Sequence, residues 1–421
     1  MKASNICWNL SGLALPLFVA AVTVPTLITR LGQERFGVLA LAWGLIGYAS
    51  ALDLGVGRAL TQHVGKLIGR RELTSIHQAL MTAARITFVA GLVGGIAIFL
   101  AGIAGATRFI KSSSISQHDL TLCMLMLSIA LPIQAMSATY KGLNEAFLNF
   151  KAISILRIVL GIMNFGGPYL ISAYTDNMPA ITASLVISRM AAFFVYRKLA
   201  LQSISKNMTN GSGYSKAIAR SLFGFGGWLT VSSVVSPILV QADRFVIAGT
   251  ISATAVFVYV LPYEMVVQSL IVVGAVSSVI FPELARLIHE KPAEWDAYFK
   301  RWMWRVAFLM AFICTSLAIL LPTIMPLWIK SSLDPNSIII GQVLCIGVFA
   351  NSIGSMFYSL LHAQGKTKST AKLHLIELPL FICGLFFLIQ QFGVIGAAWA
   401  WAGRMIFDST ILGVIAKNSN A

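Results

Sequence analysis

About twelve apolar runs of roughly 20 residues, joined mostly by short polar connections, leave this 421-residue chain few ways to fold. A run of that length is a membrane-crossing helix, because a helix satisfies its own backbone hydrogen bonds where water cannot. The runs lie at about 9–29, 37–56, 79–106, 120–140, 152–174, 179–200, 218–241, 254–281, 303–328, 337–361, 373–391 and 394–416. Composition agrees: with 57% apolar and 11% charged residues, a water-soluble domain of this size would lack polar surface. The first run, Leu10 to Thr29, is long for a signal peptide and only Lys2 precedes it, so an uncleaved first span is expected. The fold class expected is an all-α polytopic membrane protein with about twelve transmembrane helices in two six-helix lobes around a central cavity.

Basic residues set the orientation. With the N-terminus inside, 21 lysines and arginines fall in inward connections and six (Arg30, Arg35, Arg108, Lys111, Arg244 and Lys330) fall outward. That bias puts both termini in the cytoplasm. It also accounts for the net charge of +16 without nucleic acid as a partner. The longest polar interruption near the middle, Leu201 to Lys216, is rich in Ser, Asn and Gly and follows six spans, so it reads as a linker. The expected organisation is a lobe at 1–200, a cytoplasmic linker at 201–217 and a second lobe at 218–421. An offset of 212 residues superimposes Pro25 on Pro237, Gly12 on Gly224 and Gly37 on Gly249, which suggests a duplicated six-span unit.

Charges inside the spans carry the functional signal. Arg189 sits near the middle of an apolar run, where a guanidinium costs roughly 2.5 to 3.5 kcal/mol and does not escape by losing its proton. It must face a cavity, water or an anion, or pair with a carboxylate inside the bundle. Arg404 is equally deep, while Arg85 and Arg157 are nearer the cytoplasmic ends and can snorkel. The in-span carboxylates are Asp53, Glu264, Glu377 and Asp408. Arg404 and Asp408, four apart on one helical face, can neutralise each other. Glu264 has no basic residue on its own span. It must be protonated, paired across helices with an arginine such as Arg189, or exchanging protons. These four acids are the ion-coupling candidates.

Arginines on both lobes with few unpaired acids favour an anionic cargo, since the planar guanidinium fork matches phosphate or pyrophosphate. Substrate contacts are therefore assigned to Arg189, Arg404, Arg85 and Arg157. No HExxH, P-loop or GxSxG motif occurs, so neither an enzyme nor a nucleotide-driven pump is expected. The five cysteines are scattered without CxxC spacing, and the six histidines lie in or beside predicted loops as solvated residues. No metal and no cofactor is expected.

The RLGQERFG turn at Arg30 to Gly37, Pro25, and Asp53-Leu54-Gly55 resemble the opening of bacterial polysaccharide flippases of the Wzx type. Gly226 to Trp228, Gln241-Ala242-Asp243-Arg244-Phe245, Tyr259, Pro262 and Phe281-Pro282 are similar to the second lobe of those proteins, within the multidrug/oligosaccharidyl-lipid/polysaccharide exporter superfamily. The resemblance implies a two-lobed, V-shaped twelve-helix fold in the bacterial inner membrane. It implies movement of an undecaprenyl-pyrophosphate-linked oligosaccharide, such as an O-antigen unit, by alternating access through a cationic lumen, in which aromatics are expected to stack on sugar rings. Partners implied are the lipid-linked oligosaccharide, membrane lipids, and glycan polymerase or chain-length proteins of lipopolysaccharide biosynthesis. The alternatives are a drug/cation antiporter of the same superfamily, which would need unpaired carboxylates in its lumen, and a membrane glycan polymerase, which would need a sizeable outward loop.

Overall fold

The computed structural model describes residues 3–49, 53–69, 72–147, 149–204, 213–290, 294–329 and 333–418. Among them are twelve α-helices and no strand. These are α1 (Ala3–Ala49), α2 (Val56–Gly69), α3 (Ile76–Ile103), α4 (Gln117–Ala146), α5 (Phe150–Ile171), α6 (Met178–Gln202), α7 (Lys216–Thr250), α8 (Ala253–Val267), α9 (Leu270–Glu290), α10 (Trp295–Ile329), α11 (Pro335–Ala363) and α12 (Thr367–Asn418). Eight of the described helical segments are long and apolar enough to cross a membrane. The chain is a multi-pass membrane protein. Large apolar side chains such as Phe88, Leu100, Phe308, Phe312 and Ile319 point outward, as a lipid solvent allows.

Two glycines convert single long helices into pairs of crossings. Gly32 (φ +76°) breaks α1 and Gly393 (φ +59°) breaks α12, both in a region that L side chains rarely adopt. These breaks fall between the first and second, and the eleventh and twelfth, predicted spans. Other helix starts are set by caps. Ser116 Oγ accepts the Asp119 N–H at 3.0 Å. Asn177 Oδ1 accepts the Ala180 N–H at 3.1 Å, and Asp334 Oδ1 accepts the Asn336 N–H at 2.8 Å. The last two precede a proline in the first turn, which needs no donor there.

Chain contacts divide the molecule into two units, Met1–Pro237 and Ile238–Ala421. The division falls inside α7, later than the 201–217 linker expected from composition; residues 205–212 of that linker lie outside the described residues. In the first unit, the second predicted span does not simply end at 56. After a turn in which Leu54 (φ +52°) and Gly55 (φ +70°) are both left-handed, α2 resumes through most of what reads as a basic loop. The reason is its pattern: Val56, Ala59, Leu60, Val64 and Leu67 face inward, with Arg58, Gln62 and Gly65 exposed. That inner face packs in a core with Leu80, Leu143, Ile153, Tyr196 and Ala200.

Glycines bring α2 and α4 into contact. A Cβ on Gly57 would lie 2.8 Å from the Ala138 carbonyl oxygen, and Thr61 Oγ1 donates to the Gly142 carbonyl at 2.8 Å. Gly57→Leu is expected to lose about 1 to 3 kcal/mol through overpacking. Thermal unfolding in detergent, followed by size-exclusion profile, would read this as a lower midpoint; an unchanged midpoint would show that the helices separate freely.

In the second unit, α8 and α9 replace the single predicted eighth span, with a turn at Gln268 and Ser269. Phe257 and Tyr259 of α8 are fully buried, and Ser337 Oγ of α11 donates to the Val258 carbonyl at 3.1 Å. α11 lies along α12, where a Cβ on Gly347 would collide with the Trp401 ring.

Candidate functional site

Arg189 is the eleventh residue after Met178, the first of α6, about 17 Å along the helix axis from that end. Its Nη2 donates to Asn164 Oδ1 of α5 at 2.8 Å. Its buried Nε finds no hydrogen-bond acceptor, and the guanidinium makes no ion pair among the described residues. The carbonyl of Asn164 accepts the Trp43 indole N–H at 3.2 Å, and the Trp43 ring lies 5.1 Å from Phe165 and 5.8 Å from Phe36, centre to centre. α1, α5 and α6 thus bring an uncompensated guanidinium and a half-buried tryptophan to one amide. Arg157, half-buried on α5, and Arg85, exposed on α3, make no hydrogen bond or ion pair among the described residues. Asn164 and Trp43 are absent from the residues chosen by sequence, although an asparagine four positions before Pro168 is a signal that can be read.

The second unit contains two charged clusters. In one, Arg404 Nη1 donates to the Leu239 carbonyl at 2.7 Å and its Nε lies 3.9 Å from Glu377 Oε2. The guanidinium also covers the Phe381 ring at 5.2 Å. A ring nitrogen of His374 and carboxylate oxygens of Glu377 and Asp408 all lie within 4.8 Å of one another. Glu377 is 1% exposed, and neither of its oxygens accepts a hydrogen bond among the described residues. The break at Gly393 folds the two halves of α12 together and so joins residues about thirty positions apart. His374, read from sequence as a solvated residue, is instead half-buried here; the His-x-x-Glu spacing on one helical face is the sequence signal for it. The closest basic partner of Glu377 is Arg404, and the Arg404–Asp408 pairing expected from their spacing is not among the ion pairs of the described residues.

In the other cluster, Arg244 Nη2 donates to Glu264 Oε1 at 2.6 Å. Asp243 is fully buried and accepts the Tyr259 hydroxyl at 2.6 Å and the Arg244 N–H at 2.8 Å. The Arg244 guanidinium lies 5.2 Å from the Tyr263 ring. Of the options for Glu264, pairing across helices with an arginine is the one found, the arginine being Arg244 and not Arg189. One expectation is corrected: Arg244 is 4% exposed within α7, not in an outward loop, because the helix continues to Thr250. Asp53 Oδ1 accepts the Gly55 N–H at 2.9 Å and so stabilises the left-handed turn that starts α2.

Polar contacts tie together one end of the first unit. Arg35 pairs with Asp176 at 2.8 Å, and Arg30 donates to the Tyr169 carbonyl at 3.2 Å. Glu34 accepts the Ser113 N–H, the Ser113 hydroxyl at 3.1 Å and the Ser114 N–H at 3.2 Å. Burial works against the charged Glu34, but hydrogen bonds from Ser112, Ser113 and Ser114 outweigh it and lower its pKa from 4.5 to about 2. A depressed carboxylate stabilises the fold above its unfolded pKa and loses that contribution as pH falls toward the folded value. The 112–114 loop is therefore expected to become more protease-sensitive between about pH 4.5 and pH 2, and Glu34→Gln to show that sensitivity already at pH 7. Limited proteolysis of both proteins across that range is the check; equal cleavage at pH 7 would remove Glu34 from the role.

A family model described as "Polysaccharide biosynthesis protein" matches residues 27–334. The chain is 27% identical over 412 residues to a Shigella flexneri protein described as "Putative O-antigen transporter", covering 97% of this chain and 96% of that one. It is 22% identical over 398 residues to "Lipopolysaccharide biosynthesis protein WzxC" of Escherichia coli (strain K12), covering 93% of this chain and 76% of the relative. Among solved structures, an inward-facing multidrug resistance MATE family transporter of the MOP superfamily shares the fold with a TM-score of 0.80 at 10% identity, covering 98% of each chain.

Proposed function

Because the chain belongs to the polysaccharide biosynthesis protein family, we propose that it is a flippase carrying an undecaprenyl-pyrophosphate-linked oligosaccharide, such as an O-antigen unit, across the bacterial inner membrane by alternating access. The observation that carries this reading is the Arg189 guanidinium, deep in α6, held by a neutral amide and left without a carboxylate among the described residues. A buried cation of that kind is costly unless an anion visits it, and a pyrophosphate accepts its paired N–H groups. Arg157 and Arg85, likewise without a carboxylate partner among the described residues, extend the cationic surface toward the inward end. There, Phe194, Arg197, Lys198, Leu201 and Gln202 line a groove of about 540 Å³ suited to membrane lipid. Both termini are placed in the cytoplasm by the basic bias, and glycan polymerase or chain-length proteins are the proposed partners.

Ion coupling belongs, in this reading, to Glu377 and Asp408 with His374. A buried carboxylate that accepts no hydrogen bond is stable only with a proton or cation nearby, and Arg404 supplies one charge for two acids. Glu264 and Asp53 serve structure instead, the first through Arg244 and the second through its turn. Arg404 bridges the two roles, holding the Leu239 carbonyl and facing Glu377. A drug/cation antiporter is the poorer fit because the first unit offers arginines where such a protein needs unpaired acids. The test is substitution of Arg189 by Ala and by Lys in the native host, with lipid-linked oligosaccharide followed on each face of the membrane.

A further inference from the structure

We propose that Asn164 is a positioning and selectivity residue for this transport: it holds Arg189 through a neutral acceptor, so that the guanidinium's full charge remains for a phosphate of the cargo. The inference rests on the flippase reading. It starts from Pro168, which has no N–H and therefore leaves the carbonyl four residues earlier, that of Asn164, without its helical partner. The Trp43 indole takes that carbonyl at 3.2 Å. Trp43 is in turn held edge-on by Phe36 at 81° and tilted against Phe165 at 59°, so the ring has one orientation. The hydrogen bond missing at Pro168 thereby ties the Asn164 backbone to Trp43.

The side chain then faces Arg189. A guanidinium only donates, so the amide must present its oxygen, and Oδ1 sits 2.8 Å from Nη2. That contact uses one of five N–H groups, while the buried Nε has no acceptor in the described chain. A purely architectural arginine would be served better by aspartate, which has the same shape and cancels the charge. An amide does the opposite: it fixes the direction of the fork and leaves its charge intact. On the amide's own face of α5, a Cβ on Gly167 would lie 3.1 Å from Ser184 Oγ of α6, so the two helices pack closely one turn from the Asn164–Arg189 contact and hold it in register. The ligand chemistry that fits is a phosphate or pyrophosphate ester next to a planar apolar ring.

The test uses the full-length protein in proteoliposomes of uncharged lipid, with a short-chain isoprenyl pyrophosphate as probe, and with inorganic pyrophosphate and anionic phospholipid vesicles as separate competitors. Asn164→Asp is expected to weaken isoprenyl pyrophosphate binding at least tenfold and to flatten its salt dependence, with thermal stability equal to or above the parent. Asn164→Ala keeps the charge but frees the fork, and is expected to weaken binding only severalfold. A structural role predicts the reverse order, with aspartate the milder change. Parent-like binding by Asn164→Asp overturns the proposal. If Asn164→Asp does not fold, parent-like binding by Asn164→Ala overturns it instead. Loss of binding in Arg189→Ala together with retention in Asn164→Asp removes this inference but leaves the flippase reading standing; retention in Arg189→Ala removes Arg189 from the site, and this inference with it. Competition by inorganic pyrophosphate marks the pyrophosphate as the recognised group, and competition by the anionic vesicles alone marks a lipid headgroup, which overturns the assignment to cargo.

Discussion

Arg189→Ala is expected to insert normally, to unfold at or above the parent's temperature, and to leave lipid-linked oligosaccharide on the cytoplasmic face with surface glycan sharply reduced. The two halves of that outcome have one cause. An arginine deep in an apolar span costs roughly 2.5 to 3.5 kcal/mol, and in this chain only an amide, with no carboxylate among the described residues, offsets that cost. Removing it relieves the fold. The transported anion loses a charge-assisted contact of about 1.5 to 3 kcal/mol, which is roughly a 10- to 150-fold change. Arg189→Lys retains the charge but not the bidentate geometry, so its defect should lie between parent and alanine. Fractionation of labelled lipid-linked glycan by membrane face, with protein abundance measured in parallel, reads both halves. Normal surface glycan in both variants, or lower stability with normal transport per molecule, would return Arg189 to an architectural role.

The spans were legible because a 20-residue apolar run has few physical interpretations, and the turn glycines marked where two long helices fold back. Gly32 in RLGQERFG and Gly393 in QQFGVIG fall between predicted crossings for that reason. The helix α2 was not legible as one, because its polar face and three basic residues look like a loop to any average over hydropathy; only the spacing Val56, Ala59, Leu60, Val64 and Leu67 betrays it. Charged residues divide the same way. The depth of Arg189 could be counted along the sequence, but its partner could not, since Asn164 is 25 residues away on another helix. Arg244 was misplaced by ending α7 too early, and with it went the partner of Glu264. His374, Glu377 and Asp408 become neighbours only once Gly393 closes α12 upon itself.

Arg244 and Arg189 lie in opposite electrostatic settings, and so the same kind of substitution should have opposite consequences. Arg244→Met removes a cation that is 4% exposed from a group containing fully buried Asp243 and half-exposed Glu264. Glu264, 49% exposed, can be rehydrated. Asp243 cannot: it keeps the Tyr259 hydroxyl, one backbone N–H and the attraction of Arg404, but loses the larger attraction of Arg244. The ion pair that is broken ends on half-exposed Glu264, so the loss is that of a charge-assisted hydrogen bond, about 1.5 to 3 kcal/mol, and Arg244→Met is expected to lower the unfolding midpoint accordingly. Glu264→Gln should cost less, about 1 to 2 kcal/mol, because the amide oxygen still accepts the bond and Asp243 still faces the arginine. Adding Asp243→Asn to Arg244→Met should recover part of the loss, since the carboxylate left with less compensation contributes to it. Chemical unfolding in detergent of the parent, Arg244→Met, Asp243→Asn and the double variant closes the cycle, and the coupling between positions 243 and 244 is the quantity that decides. If Arg244→Met instead unfolds like the parent while cargo transport disappears, this arginine binds substrate, and the anion path would extend into the second unit.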